Sequence, residues 1–159
     1  MASNIPGHTE LIDGVVHDVS PRNPAHAHAV QVLAEYLFDG LDRTIYKVQV
    51  QDPVAVAGWK GPHAPEVDVA ILHRKQYTTT PDATNTLAVL EVADTTYKDD
   101  RDVKIPLYEA AGIPAWIVNV PQRTVEFYGS ERSDYHEGEV FEVLGVAIPV
   151  SELFLSTEA

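Results

Sequence analysis

The stretch Leu87 to Trp116, LAVLEVADTTYKDDRDVKIPLYEAAGIPAW, decides how the rest of the chain is arranged. An apolar run from Leu87 to Leu90 stops at a carboxylate, Glu91, and a polar connection then leads into a segment with helical spacing. In that segment Lys104, Leu107, Tyr108 and Ala111 fall on one face, so the helix closes over the strand just left. A strand that delivers an acid to its exit, followed by a helix that returns a lysine above it, can bring Glu91 and Lys104 together. Asp68 lies in the middle of the preceding apolar segment, EVDVAIL. Two carboxylates and an amine at the rim of one sheet are the equipment of a magnesium-dependent phosphodiester hydrolase.

Composition bounds the alternatives. At 159 residues and 45% hydrophobic, with no break in composition, the chain reads as one domain spanning residues 1–159. It has no cysteine, which excludes disulfides and thiolate zinc sites. No basic and apolar leader opens it, and no apolar run reaches about 18 residues, so the expectation is a cytoplasmic protein with no membrane partner. The net charge of −13 opposes easy steering toward DNA, since affinity for phosphates comes from Lys and Arg. Solubility accounts for most of the 24 acidic residues. A local basic patch could still be assembled from Arg43, Lys47, Lys60, Arg74, Lys75, Lys98, Arg101 and Arg123, and its convergence is a three-dimensional matter.

Outward from the central stretch, Asp13-Gly14 between Thr9–Ile12 and Val15–Val19 is a strong signal for a two-residue hairpin near the N-terminus. Glu10 on its first strand is either an ordinary hairpin side chain or an extra acid aimed at the site. Asn23-Pro24 caps a helix expected from about Pro24 to Asp39 and stopped by Gly40. His26 lies on its apolar stripe with Val30, Leu33, Ala34, Leu37 and Phe38, facing inward at the positive end of the helix dipole; a core-edge histidine is the simpler reading. His26 and His28 point to different faces and form no zinc motif.

The alternation from Thr44 to Ala57 gives a strand, a turn at Asp52-Pro53 and a second extended piece, and GWKGPHAP reads as a loop. Asp68 and Glu66 sit either in a buried strand, where an acid needs a partner or a cation, or on its wet face. Asp99, Asp100 or Asp102 could cap the helix that carries Lys104, and Pro106 either ends its first turn or kinks it. Lys104 itself could be a solvated first-turn lysine. Beyond Gly112, WIVNV and TVEFYG read as paired strands across Pro121-Gln122, and VFEVLGVAIPVSELF as one closing strand with a short amphipathic end. The order hairpin, helix, strands, helix, strands gives an α/β fold of mixed α+β character, with no repeat, no phosphate-binding glycine loop and no Ser or Cys nucleophile signature.

Five stretches carry a resemblance: TELIDGVVHDVSP followed by His26, PEVDVAIL with Asp68, LEV with Glu91, Asp100 four residues before Lys104, and KIPLYEAAGIP. In this order and spacing, over nearly the whole length, the chain resembles the Uma-two family of restriction endonucleases, a bacterial branch of the PD-(D/E)XK nuclease superfamily. The resemblance implies a restriction-endonuclease-like mixed sheet flanked by helices. It implies Asp68 and Glu91 as metal ligands and Lys104 as the active-site lysine. In the wider superfamily that lysine stands two residues after the acid, where this chain has Ala93. The sequence also departs from the pattern at Val67, in the place of a proline, at Asp94, in the place of a serine, and in a shorter stretch around the Trp.

The expected activity is hydrolysis of DNA phosphodiester bonds by an endonuclease using one or two Mg²⁺, or Mn²⁺, held by Asp68 and Glu91. Lys104 orients the attacking water or stabilises the pentavalent state; Glu10 completes the metal shell or tethers Lys104; His26 contacts the phosphate or the water. DNA is the expected partner and a homodimer the expected assembly. Two rivals stand beside this reading: a catalytically silent nuclease-fold binding or assembly module, which suits the acidity, and a metal-dependent hydrolase of small phosphate esters.

Overall fold

The computed structural model describes residues 9–18, 23–58, 61–95 and 97–156. The polar leader, Val19 and Lys60 fall outside them. A hairpin, β1 (Thr9–Ile12) and β2 (Val15–Asp18), turns on Asp13 and Gly14, both at positive φ (52° and 76°), the requirement of a type I′ turn. Helix α1 (Pro24–Gly40) follows, with Asn23 Oδ1 accepting from the His26 N–H at 2.9 Å. Gly40 stays inside the helix rather than marking a left-handed stop. A Cβ there would stand 2.8 Å from Val146 Cγ1, so the glycine serves a close approach.

The central sheet is built from β3 (Tyr46–Pro53), β6 (Glu66–His73), β7 (Thr86–Ala93), β8 (Ala115–Asn119), β9 (Thr124–Tyr128) and β10 (Arg132–His136), in the order β10-β9-β8-β7-β6-β3. Within this sheet β7 and β8 run parallel and the other neighbours antiparallel, and the helical crossover between β7 and β8 carries Lys104. The sheet is therefore mixed, as expected. Its β6 and β8 are buried along nearly their whole length, matching their continuous apolar sequences.

Four segments differ from the sequence reading. Asp52 and Pro53 make no turn but end β3, paired with Val67 and Glu66, because the irregularity falls one residue earlier, at Gln51. GWKGPHAP is not wholly loop, because β5 (Gly61–His63) pairs with β4 (Val56–Gly58). The closing segment is a hairpin, β11 (Val140–Val143) and β12 (Val146–Pro149), turning at Leu144-Gly145, both at positive φ, before a 3₁₀ turn (Val150–Leu153). Strand β10 has the polar sequence RSDYH and draws its strand character from pairing with β9 at the sheet edge.

Apolar layers cover both faces of the sheet. On one, Leu33 and Leu37 of α1 pack with Val69, Leu90, Val118 and Phe141. On the other, Ile105 and Tyr108 pack with Ala70, Val89, Ile117 and Tyr128. Truncating a wholly buried residue such as Leu33 to Ala costs about 2–5 kcal/mol, whereas Phe38, expected on the same stripe of α1, is 41% exposed at the end of the helix.

Candidate active site

Strands β6 and β7 separate beyond Val69 and Leu90, the last pair they form on the way to Asp68 and Glu91. On the other flank of β6, the position opposite Asp68 is Gln51, which drops out of the ladder and takes a φ of 54°. Side chains replace the missing ladder bonds. The Asp68 N–H donates to Glu91 Oε1 at 3.3 Å, and Asp68 Oδ2 accepts from the Val92 N–H at 2.8 Å. Each acid thus satisfies backbone on the opposite strand, which is how both lie buried, 2% and 1% exposed. Glu66 is as deeply buried, so the wet-face reading of this strand is wrong: the β1–β2 hairpin and the helical crossover roof it over.

Lys104 descends onto this fork from the crossover. Its Nζ lies 3.1 Å from Glu91 Oε2, 3.1 Å from Glu10 Oε1 and 3.6 Å from Asp100 Oδ1, and donates to the Glu66 carbonyl at 3.1 Å. Lys104 is 7% exposed, which removes the solvated-lysine reading. The crossover is α2 (Tyr97–Asp99), a π-helical turn (Asp100–Lys104) and α3 (Ile105–Ala110). The irregularity foreshadowed by Pro106, which has no N–H to give the preceding turn, appears as that π turn. It holds Asp100 and Lys104 against each other.

The remaining sequence candidates converge as well. Glu10 Oε1, besides meeting Lys104, accepts from the Glu66 N–H at 3.2 Å, so the hairpin contributes an acid. His26 Nε2 stands 3.3 Å from Asp68 Oδ1, whereas His28 turns to the Glu152 carbonyl at 3.0 Å. Asp68, Glu91, Lys104, His26 and Glu10 therefore form one cluster. Asp100, marked in the sequence as a possible cap and by its four-residue offset from Lys104 but given no part in the site, joins them, as does Tyr108, whose hydroxyl is 3.5 Å from Glu91 Oε1.

The electrostatics are those of one ammonium among four carboxylates. Burial raises the Glu91 carboxyl well above its usual range; Lys104 opposes this, while Asp68 and Asp100 add to it. Burial disfavours the Lys104 ammonium, but Glu91, Asp100, Glu10 and Asp68 outweigh it and lift Lys104 above its ordinary value. The lysine stays charged and the cluster keeps an excess of negative charge. Among the described residues no three His, Asp or Glu side chains converge at metal-binding geometry.

Two strands along the same cross-sheet row stands a second polar group that the sequence reading missed. Glu126 pairs with Ile117, which pairs with Glu91. Glu126 is buried and accepts from the hydroxyls of Tyr97 and Tyr128 and, at 3.4 Å, from Asn119 Nδ2. Asn119 Oδ1 meanwhile accepts from the Gln122 N–H at 3.2 Å, at the end of β8.

Among solved structures, one titled as a putative nuclease belonging to DUF820 from Anabaena variabilis is similar, with a TM-score of 0.68 and 10% identity over 92% of this chain and 89% of that one. At that identity the likeness concerns the fold. No curated protein matches the chain. A family model, Uma2, described as putative restriction endonuclease, matches residues 3–157, and the chain accordingly belongs to the Uma2 family.

Proposed function

We propose that the protein is a metal-dependent endonuclease that hydrolyses DNA phosphodiester bonds at the β6–β7 fork. The carrying observation is the convergence of Asp68, Glu91 and Lys104 from three separate elements onto one buried point. Family membership supports the reading, since the family's description is putative restriction endonuclease.

The donor set fits Mg²⁺. That ion prefers oxygen ligands and is usually held by one or two carboxylates, with waters and substrate phosphate completing its shell, so Asp68 and Glu91 suffice. The excess negative charge around Lys104 favours a dication. When bound, the metal supplies an acidified water and neutralises charge on the phosphate.

The chain's own residues have separable tasks. Lys104, held as an ammonium by its carboxylates, donates to the phosphate oxygens as negative charge grows there, and does not serve as a base. His26 orients Asp68, and the Asp68 and Val92 N–H groups fix the two acids against rotation. Glu10 holds Lys104 from the hairpin side.

A silent binding module is the second reading, favoured by the depth at which Asp68, Glu91 and Lys104 lie. Incubation of supercoiled and linear DNA with Mg²⁺, beside identically prepared Glu91→Gln and Asp68→Asn proteins, tests both. Cleavage by the native chain alone supports the endonuclease. Intact DNA across metals and salts transfers the case to the module, and hydrolysis of mononucleotide esters with DNA untouched transfers it to a small-ester hydrolase.

A further inference from the structure

Four of the chain's 11 Lys and Arg residues gather at the end of β6 away from the acid fork. Arg74 follows β6, its N–H donating to the Ile45 carbonyl at 2.8 Å and its Nε to the Arg43 carbonyl at 2.7 Å, so Arg43 and Arg74 are neighbours. Lys47 and Lys75 both place their Nζ over the Tyr77 ring, 5.3 and 5.0 Å from its centre. Tyr77 is itself fixed by its hydroxyl, which donates to the His73 carbonyl at 2.6 Å. Cation–π contacts of this kind hold the two ammonium groups beside one ring without neutralising their charge.

No carboxylate among the described residues lies within ion-pair distance of these four. The flanking acids are turned elsewhere: Asp42 accepts from Thr44, and Asp82 from Thr84, with Lys75 the smallest of the influences on the Asp82 carboxyl. By contrast Lys104 is sunk among carboxylates, Arg123 is paired with Glu137, and Arg132 lies near Glu126 and Asp134. In a chain of charge −13 this is a local concentration of uncommitted positive charge.

Its placement gives it a role. Lys47 pairs across the sheet with Leu72, which belongs to the apolar layer shared by Tyr108. Cross-strand partners share a face, so Lys47 stands on the face from which Tyr108 meets Glu91. Asp68 and Leu72 are four residues apart on one strand, roughly 13 Å. That is the rise of about four base pairs of a duplex.

Resting on the endonuclease reading, we infer that Arg43, Lys47, Arg74 and Lys75 form a contact for the phosphate backbone of the duplex whose scissile phosphate occupies the fork. The patch supplies the anchoring that the acidic surface elsewhere withholds, and it sets the duplex along β6.

Binding of a fluorescent 20-base-pair DNA, followed by anisotropy in EDTA as salt is varied, tests the patch without cleavage. The Arg74→Ala/Lys75→Ala protein is expected to bind at least tenfold more weakly at low salt. The slope of log affinity against log salt should fall by about 2, one per phosphate contact. Arg123→Ala, which removes a paired charge elsewhere, should change neither. Unchanged binding in the double variant, an equal loss in Arg123→Ala, or no binding by the native protein at low salt would overturn the patch. Salt-sensitive dimers in sedimentation that vanish in the double variant, with DNA binding unaltered, would assign it to an acidic face of a second copy. Hydrolysis of bis(p-nitrophenyl) phosphate with Mg²⁺, a substrate confined to the fork, separates the two readings. Its retention beside unchanged DNA binding defeats the patch alone, and its absence beside patch-dependent DNA binding defeats the endonuclease alone.

Discussion

The Tyr97 hydroxyl lies 2.8 and 2.9 Å from the two oxygens of Glu126, tying the first turn of the helical crossover to β9. The π turn with Asp100 and Lys104 begins directly after this tie. Tyr97→Phe removes one charge-assisted hydrogen bond and should cost about 1–2 kcal/mol in urea unfolding. If the tie positions Lys104, the same protein loses kcat with KM nearly unchanged; an unaltered kcat would make it structural only.

Lys104→Ala is expected to lose both activity and fold. The substitution strands Glu91, Asp100 and Glu10 around a vacated ammonium, and breaking a buried pair from one side costs about 3–5 kcal/mol. A Lys104→Met/Glu91→Gln double variant should recover a large part of that loss in a double-mutant cycle, because the lysine and the acid it answers leave together.

Glu91→Gln should stabilise the protein while abolishing cleavage. With its carboxyl raised on folding, Glu91 contributes most below the ordinary carboxylate range, where it is protonated in both states. That contribution is lost as pH rises through its folded value. The native and Glu91→Gln proteins should therefore melt together in acid and diverge as pH rises, the variant higher by about 2–4 °C for each kcal/mol. A native protein that is the more stable at neutral pH would show Lys104 outweighing burial.

Gly14→Ala tests the hairpin. The added Cβ would meet Pro62 only at ordinary contact distance, 3.9 Å, so the penalty comes from the φ of 76° and should be roughly 1 kcal/mol. Because Glu10 rides on that hairpin, nuclease activity should fall with it, and Glu10→Gln should reproduce the fall in activity with little change in melting temperature.

Much of this arrangement was legible in the residues. Glu91 and Lys104 could be brought together because a strand that ends in an acid and a helix of known period fix the direction of return. The hairpin turn followed from Asp13-Gly14, and the start of α1 from Asn23-Pro24. What stayed illegible depended on partners distant in sequence. The burial of Glu66 and Asp68 required the roof of hairpin and crossover, and alternation along β6 cannot report that. The polar β10 became a strand only through β9. Nothing local in TVEFYG marks Glu126 as buried, because the Tyr97 that donates to it lies 29 residues away.

At the fork, the atoms that would hold the metal are the atoms that close the gap in the sheet. Asp68 and Glu91 answer backbone N–H groups, and Lys104 answers a backbone carbonyl. The fork's backbone thus depends on the same side chains that would do the chemistry. A descendant shedding catalysis by drift would keep Lys104 to answer the Glu66 carbonyl, whereas Glu91 could pass to an amide whose oxygen still accepts from the Asp68 N–H.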